Sequence, residues 1–449
     1  MSRNARKVNN ALIVFTREPI PGKTKTRLMP RYTPEQCADL HLSFLKDIAR
    51  EIAKTDADIY VSYTGGEPEH LRTVFGEVAG YMDQRGENLG ERMLNAIKSV
   101  KSYGYDKIVL IGSDVPELSA STIQDAYNIL DVADVVMGPT HDGGYYLIGM
   151  NEVCESAFNV KQYGVSTVYD DTVRSINGSG HTVIATDTYQ DIDDIDDVHA
   201  YIERMRSDKQ LSNSCTGRYL TDNMSISIIV PTYNESSTIE AMLEQLEQYR
   251  DDAEIIIVDG SSTDDTVKKI GNDWKVITCE KGRGIQMNKG AKASSRDILF
   301  FLHCDSTLPS DALGEIRRCM ATNRYGCFGL KFNSKNFFMW TNRVISNHRA
   351  WKRGLPFGDQ GIFIDRNLFF KSGGFPEIPI MEDYEFGRRL AAFGMKPAKT
   401  GARLVASDRR YDGGTKHILV QELAIWKLRR RYRAGEDMNM LGSEYGDVR

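Results

Sequence analysis

Two apolar runs, Ala11-Leu12-Ile13-Val14-Phe15 and Ile226-Ser227-Ile228-Ile229-Val230 with Ser227 its one polar member, each pass straight into a polar loop. The loops are Thr16-Arg17-Glu18-Pro19 and Pro231-Thr232-Tyr233-Asn234-Glu235. Further along, each half repeats a second pattern, a β-type run that ends on an aspartate: Ile108 to Asp114 and Ile298 to Asp305. A strand apolar at nearly every position has to be covered on both faces, which places it inside a parallel sheet flanked by helices. The chain therefore reads as α/β, with two tandem Rossmann-like domains, each a mainly parallel sheet covered by helices. Ligands of such sheets sit beyond the carboxyl ends of the strands, where both aspartates fall. Either aspartate alone would serve equally well as a helix cap.

Between the halves, Arg206 to Asn223 is rich in Ser, Asn and charge, lacks periodicity and reads as a linker, giving domains 1–205 and 224–449. The formal net charge of −5 argues against nucleic acid as the main partner, because phosphate neutralisation needs a concentrated Lys/Arg surface. Seven cysteines without a Cys-x-x-Cys pair suggest neither a disulfide framework nor a zinc knuckle. The basic start, Met1 to Lys7, precedes an apolar run too short for a signal peptide, and no stretch approaches the roughly 20 residues that span a bilayer. The expected location is the cytoplasm.

Chemistry-bearing residues in the second half follow the strands. Asp259 ends Glu254 to Val258 and opens the turn Gly260-Ser261-Ser262, where a carboxylate can accept from a base or ribose while backbone approaches the ligand. Lys281-Gly282-Arg283-Gly284-Ile285-Gln286-Met287-Asn288 sets two glycines around an arginine before a helical stretch, an arrangement that suits a diphosphate or an ordinary tight turn. Asp305 is placed to hold a divalent cation, Mg2+ or Mn2+, bridging a leaving diphosphate. Glu382 and Asp383 start a helix, as a general base or as partners of its dipole.

In this order, from about Ser225 to Asp408, these segments resemble the family 2 glycosyltransferases. More narrowly they are similar to small transferases encoded beside radical-SAM enzymes, through Gly-Arg-Gly-x-Gln-Met-Asn and Gly358-Asp359-Gln360. The resemblance implies a GT-A fold and inversion at the anomeric carbon. It implies nucleotide contacts from Pro231, Tyr233, Glu235, Asp259, Gly282 and Arg283, a metal on Asp305, and Asp383 as base. His303 stands where the family has the first aspartate of Asp-x-Asp, as a neutral ligand or a core histidine.

In the first half, Arg17, Lys23, Lys25, Arg27 and Arg31 surround a single Glu18 in the loop after the first strand, a composition that suits a polyphosphate. A P-loop is excluded, since its first glycine would fall on Arg17. Thr33-Pro34-Glu35-Gln36 reads as a capped helix start. Asp114 and Asp193 are distant carboxylates whose convergence would serve a magnesium–triphosphate. Asp196 and Asp197 read as helix caps. From about Leu12 to Ile202 this half resembles a nucleotidyltransferase-like family of GT-A type, through Pro21 to Leu28, Asp142-Gly143-Gly144-Tyr145-Tyr146 and the Asp191/Asp193 pair. The resemblance implies Lys23 and Arg27 in catalysis and Lys25 on the nucleotide.

The expectation is a bifunctional enzyme with two GT-A-like domains. The first would form a nucleotide sugar from a nucleoside triphosphate and a sugar 1-phosphate, and the second would pass the sugar to an acceptor. The alternative keeps only the transferase active and makes the first domain a non-catalytic binding or dimerisation module. The basic, aromatic segment 416–433 reads as a solvated helix or as a peripheral membrane contact.

Overall fold

The computed structural model describes residues 10–160, 162–334, 336–407, 414–436 and 440–441. The basic start Met1–Lys7 and the end of the family resemblance at Asp408 lie outside the described residues, and of Lys416 only the backbone is described. The chain divides into two compact units, Met1–Leu220 and Thr221–Arg449.

The first unit is built on β1 (Asn10–Phe15), β2 (Asp58–Tyr63), β3 (Gly80–Asp83), β4 (Lys107–Gly112), β5 (Val135–Pro139), β6 (Tyr145–Met150) and β7 (Val183–Ala185). They form one seven-stranded sheet in the order β3-β2-β1-β4-β6-β5-β7. All neighbours are parallel except β6, which runs against both β4 and β5. The unbroken apolar runs have the cause expected of them. Ala11, Ile13, Ile108 and Leu110 pack with Met93 and Ile97 on one face, while Leu12, Val14, Val109 and Ile111 pack with Ile48 and Ile123 on the other.

The second unit repeats this topology. Its strands are β8 (Ile226–Thr232), β9 (Ala253–Asp259), β10 (Val276–Thr278), β11 (Ile298–Phe301), β12 (Tyr325–Lys331), β13 (Ile362–Asp365) and β14 (Ala398–Val405), in the order β10-β9-β8-β11-β13-β12-β14. Here β13 is the antiparallel member, paired with β11 and β12. Both units are thus GT-A-like, a mainly parallel mixed sheet covered by helices. Asp114 and Asp305 follow β4 and β11, beyond the carboxyl ends of the strands beside β1 and β8.

Local signals hold at the helix starts. Thr33 and Gln36 make a reciprocal capping box on the helix Pro34–Ile52, with Pro34 in its first turn. Asp194 and Asp197 make another on Ile195–Ser207, with Asp196 in the first turn.

The stretch 206–223 differs from the linker expected of it. Short helices occupy Lys209–Asn213 and Cys215–Asp222, and the residues up to Leu220 belong to the first unit. The physical reason is Asp47, a buried carboxylate on the helix Pro34–Ile52. It accepts from the amides of Cys215 and Thr216 at 2.8 Å each, at the start of the helix Cys215–Asp222. Leu220 is buried, and Tyr219 Oη donates to the carbonyl of Gln36. Asp47→Ala leaves those amides without an acceptor and should destabilise the first unit by about 1–3 kcal/mol. Thermal unfolding together with protease cutting across 206–223 checks this, since a true linker would respond to neither.

Candidate active sites

In the second unit the site begins where two parallel strands end. Gln286, buried in the helix Arg283–Ala293, donates from Nε2 to the carbonyls of Thr232 at 2.7 Å and Val258 at 2.9 Å. One side chain therefore fixes the ends of β8 and β9, from which the loops at Tyr233 and Gly260 depart. Asp259 is buried at the end of β9, where both carboxylate oxygens accept from Ser262, from its amide at 2.9 Å and its hydroxyl at 2.5 Å. The carboxylate closes its own turn, which Ser261 helps to make at φ 62°. Tyr233 lies under the Lys281 ammonium, 4.2 Å from the ring centroid, so the loop after β8 meets the segment before the Arg283 helix.

Pro231 and Glu235, also expected on the nucleotide, have neighbours within the unit. Pro231 is buried within β8 in register with Val258, so its ring belongs to the sheet interior. Glu235 accepts from the Thr238 hydroxyl at 2.5 Å, within its own loop.

Gly282 precedes the helix whose first residue is Arg283. The Arg283 guanidinium is paired through Nε with Glu382 Oε1 at 2.8 Å, and Glu382 is only 2% exposed. Glu382, expected with Asp383 as a general base or as a partner of the helix dipole, is here the partner that orients the arginine. The other glycines of this motif answer to packing. A Cβ on Gly284 would collide with the Pro376 carbonyl, and one on Gly290 with Ile229 in the sheet. Asn288 holds the loop at Phe375, donating to its carbonyl at 2.8 Å and accepting from its amide at 2.9 Å.

Asp383 lies at the start of the helix Glu382–Ala392. Its Oδ2 accepts from the amide of Gly358 at 2.8 Å and its Oδ1 from the amide of Tyr384 at 2.6 Å. Gly358 is also where His303 closes in: a Cβ there would stand 2.5 Å from His303 Nε2 and 3.7 Å from Asp383 Oδ2. His303 and Asp305, both half-buried, share the turn that follows β11. Phe357, next in sequence, carries a guanidinium 3.4 Å from its ring centroid, that of Arg349, and another at 4.5 Å, that of Arg429. Burial, with Arg429 close by, brings the Arg349 pKa down to about 10, so it remains cationic at neutral pH. The sequence marked Arg429 only as part of the basic segment 416–433 and did not single out Arg349, since nothing local ties either residue to Phe357. A basic helix beside an aromatic pair was the available signal.

In the first unit, Asp114 and Asp193 do converge, and the cation between them is the chain's own. Lys25 Nζ lies 2.7 Å from Asp114, 3.0 Å from Asp193 and 2.6 Å from the Ile192 carbonyl, with a side chain 7% exposed. Burial pulls the ammonium's pKa down, and Asp114 and Asp193 more than offset it, leaving it raised. Asp114 and Asp193, expected to take magnesium, and Lys25, expected on the nucleotide, are thus brought together, with the ammonium bridging the two carboxylates. Among the described residues no group of three or more His, Cys, Asp or Glu side chains is arranged to hold a metal ion. Arg17, Lys23 and Arg27 are exposed, Arg27 reaching Asp193 at 3.4 Å. Burial, then Asp142 and Asp193, push the Asp191 carboxyl up to about 7. Behind Lys25 sits His41, another residue the sequence did not flag. It is 1% exposed, 3.3 Å from the Thr16 hydroxyl through Nε2, with Nδ1 unpartnered.

Residues 227–376 match the family described as glycosyl transferase family 2. Residues 48–165 match a family described as an uncharacterized protein conserved in bacteria (DUF2064). An uncharacterized glycosyltransferase of Haemophilus influenzae is 27% identical over 180 residues, which make up 37% of this chain and 61% of that protein. The PGL/p-HBAD biosynthesis glycosyltransferase of Mycobacterium bovis is 25% identical over 223 residues, 46% of this chain and 86% of that one. A solved structure from Desulfovibrio desulfuricans, described as a "putative nucleotide-diphospho-sugar transferase", is 31% identical across 48% of this chain and 95% of its own, with a TM-score of 0.46. The match to glycosyl transferase family 2 thus falls in the second unit and the match to DUF2064 in the first.

Two measurements check this geometry. Gln286→Leu takes one of two donors from each of two buried carbonyls, leaving Thr232 with the Gly260 amide and Val258 with the Thr232 hydroxyl, and should cost the second unit about 1–2 kcal/mol in thermal unfolding. The second concerns His41, whose pKa burial lowers from 6.5 to about 4. The unfolded chain takes up a proton near pH 6.5 that the folded imidazole refuses until about pH 4, so stability is lost as pH falls through that window. The loss reaches roughly 3 kcal/mol at its lower end, and His41→Leu should flatten that part of the profile of melting temperature against pH.

Proposed function

We propose that the chain is a bifunctional cytoplasmic enzyme. Its second unit transfers a sugar from a nucleotide sugar to an acceptor with inversion, and its first unit forms that nucleotide sugar from a nucleoside triphosphate and a sugar 1-phosphate. The observation that carries the transferase reading is the meeting of Asp383, His303 and Arg283–Glu382 at one end of the second sheet, within the segment that matches family 2.

Asp383 is held by two amides in a fixed orientation, as a general base needs to be. It takes the proton of an acceptor hydroxyl as that oxygen bonds to the anomeric carbon, and the bond from that carbon to the diphosphate breaks on the opposite side. Arg283, at a helix start and aimed by Glu382, meets the charge that gathers on the leaving diphosphate. Tyr233, Lys281 and the Asp259 turn form the wall toward the nucleoside. Asp305 with His303 fits a divalent cation, Mg2+ or Mn2+, since one carboxylate completed by substrate phosphates is the usual way such ions are held. When bound, that ion adds positive charge beside the leaving group.

In the first unit the exposed cations Arg17, Lys23 and Arg27 support polyphosphate binding, while Lys25 pins their loop to Asp114 and Asp193. The Lys25 bridge also favours the alternative reading, a non-catalytic binding or dimerisation module, because the ammonium already neutralises the carboxylate pair.

Asp383→Asn should abolish transfer while nucleotide-sugar affinity stays within about threefold, and a residual rate above about a tenth of wild type would remove Asp383 from the role. Asp305→Ala should weaken metal-dependent binding of nucleoside diphosphate; binding that ignores chelator in the wild type excludes the metal role. For the first unit, a fragment ending at Asp222 is incubated with triphosphates and sugar 1-phosphates and followed for pyrophosphate. Lys23→Ala and Arg27→Ala should each weaken triphosphate binding by about 1–3 kcal/mol. No pyrophosphate and no effect of either change would leave the first unit as the module.

A further inference from the structure

Two helices of the second unit turn large apolar side chains into solvent. On the helix Phe337–Arg353, Phe337, Trp340, Val344 and Ile345 are 68%, 51%, 43% and 57% exposed. At 3.6 residues per turn these positions share one face, opposite the buried Met339, Ser346 and Ala350. The rings of Phe337 and Trp340 stack at 5.8 Å. On the helix Gly414–Arg433, Val420, Leu423 and Trp426 are 62%, 58% and 55% exposed, again along one face. The two helices are in contact with each other. Single exposed apolar residues are ordinary on a protein surface, but two adjoining faces of them call for an occupant.

Charge decides which occupant. The first helix carries Arg343, Arg349, Lys352 and Arg353 and no Asp or Glu. The second contains Lys416, Lys427, Arg429, Arg430, Arg431 and Arg433 against Glu422 alone. In a chain of net charge −5 this is a strong segregation of cations. A second copy of the chain would bring like charges together, which disfavours self-association through this face. Arg349 and Arg429 turn inward onto Phe357, while Lys352, Arg353, Lys427 and Arg430 are exposed, and an apolar face flanked by such cations matches helices that lie in the plane of an anionic bilayer. No helix among the described residues is long and apolar enough to cross a membrane.

We propose that the helices Phe337–Arg353 and Gly414–Arg433 form a docking face for an anionic lipid surface, with Phe337, Trp340 and Trp426 at headgroup depth. The same helices reach the transferase site. Arg349 and Arg429 lie against Phe357, which adjoins the Gly358 amide that holds Asp383. Leu428 packs with Ile380, and the Tyr432 hydroxyl donates to Glu385 at 2.8 Å, on the helix that carries Asp383 in its first turn. Docking therefore presents the acceptor side of the site to the lipid surface, and the acceptor is an amphiphile borne there. This last clause alone rests on the transferase reading.

The test is flotation of the full chain with phosphatidylcholine vesicles and with vesicles that also contain phosphatidylglycerol, without any sugar donor. Binding should be at least about tenfold tighter to the anionic vesicles and should weaken with salt. Phe337→Ser with Trp340→Ser, and separately Lys427→Glu with Arg430→Glu, should each reduce it by about tenfold or more. Melting temperature and nucleoside diphosphate binding should stay as in the wild type for both pairs. Equal flotation by variants and wild type overturns the proposal, as does absence of flotation in the wild type. A dimer in the wild type that dissociates in the variants also overturns it, and assigns the face to a second copy. Because no donor is present, flotation persists even where transfer fails, so the docking face and the transferase reading fall separately.

Discussion

The carbonyls of Thr232 and Val258 end neighbouring parallel strands in a place water does not reach, and the carboxamide of Gln286 takes both. The loops beyond the carboxyl ends of β8 and β9 are positioned from that contact. The loop at Tyr233 and the turn at Gly260 leave the sheet from the two points it ties. The helix that carries Gln286 also begins with Arg283, whose partner Glu382 precedes Asp383 in sequence. Asp383 in turn is bonded to Gly358, against which His303 packs. Strand ends, Arg283 and Asp383 are thus joined through contacts that each leave little room, and buried polar contacts of this kind act as a unit.

Features that depend on near neighbours in sequence were legible in advance. The continuous apolar strands, the Thr33 capping box and a carboxylate cap before Val198 all follow from period and local hydrogen bonding, although the cap itself is Asp194 with Asp197 as its reciprocal partner rather than Asp196. What could not be read was long-range pairing. The helix Cys215–Asp222 is too short to show a period, and its acceptor Asp47 lies 168 residues away from Cys215. The reversal of β6 and β13 is likewise absent from composition, since an antiparallel strand buried on both faces is as apolar as a parallel one. The glycines after Lys281 looked like a phosphate turn. Gly284 and Gly290 are small because backbone and sheet approach them, a demand that leaves the same residue type in the sequence.

The two units use one sheet order with opposite arrangements of charge. In the first, the cations stand on the loop directly after β1, and one of them fills the space between two carboxylates. In the second, the loop after β8 supplies Tyr233 and Glu235, and the cations Lys281 and Arg283 come from the segment after β10. A shared frame therefore fixes where a site can form, beyond the carboxyl ends of the central strands, while its chemistry is set by a handful of loop residues.

The Lys25 bridge has a consequence for covalent chemistry. An amine reacts as a nucleophile only after it gives up its proton, and this one is buried, bound to three oxygens and held as ammonium by two carboxylates. Acylating reagents, and acetyl transfer in a cell, would therefore find Lys23 on the surface and pass over Lys25 two residues later. The charge that secures this loop is chemically inert, whereas the neighbouring charge that faces solvent can be erased.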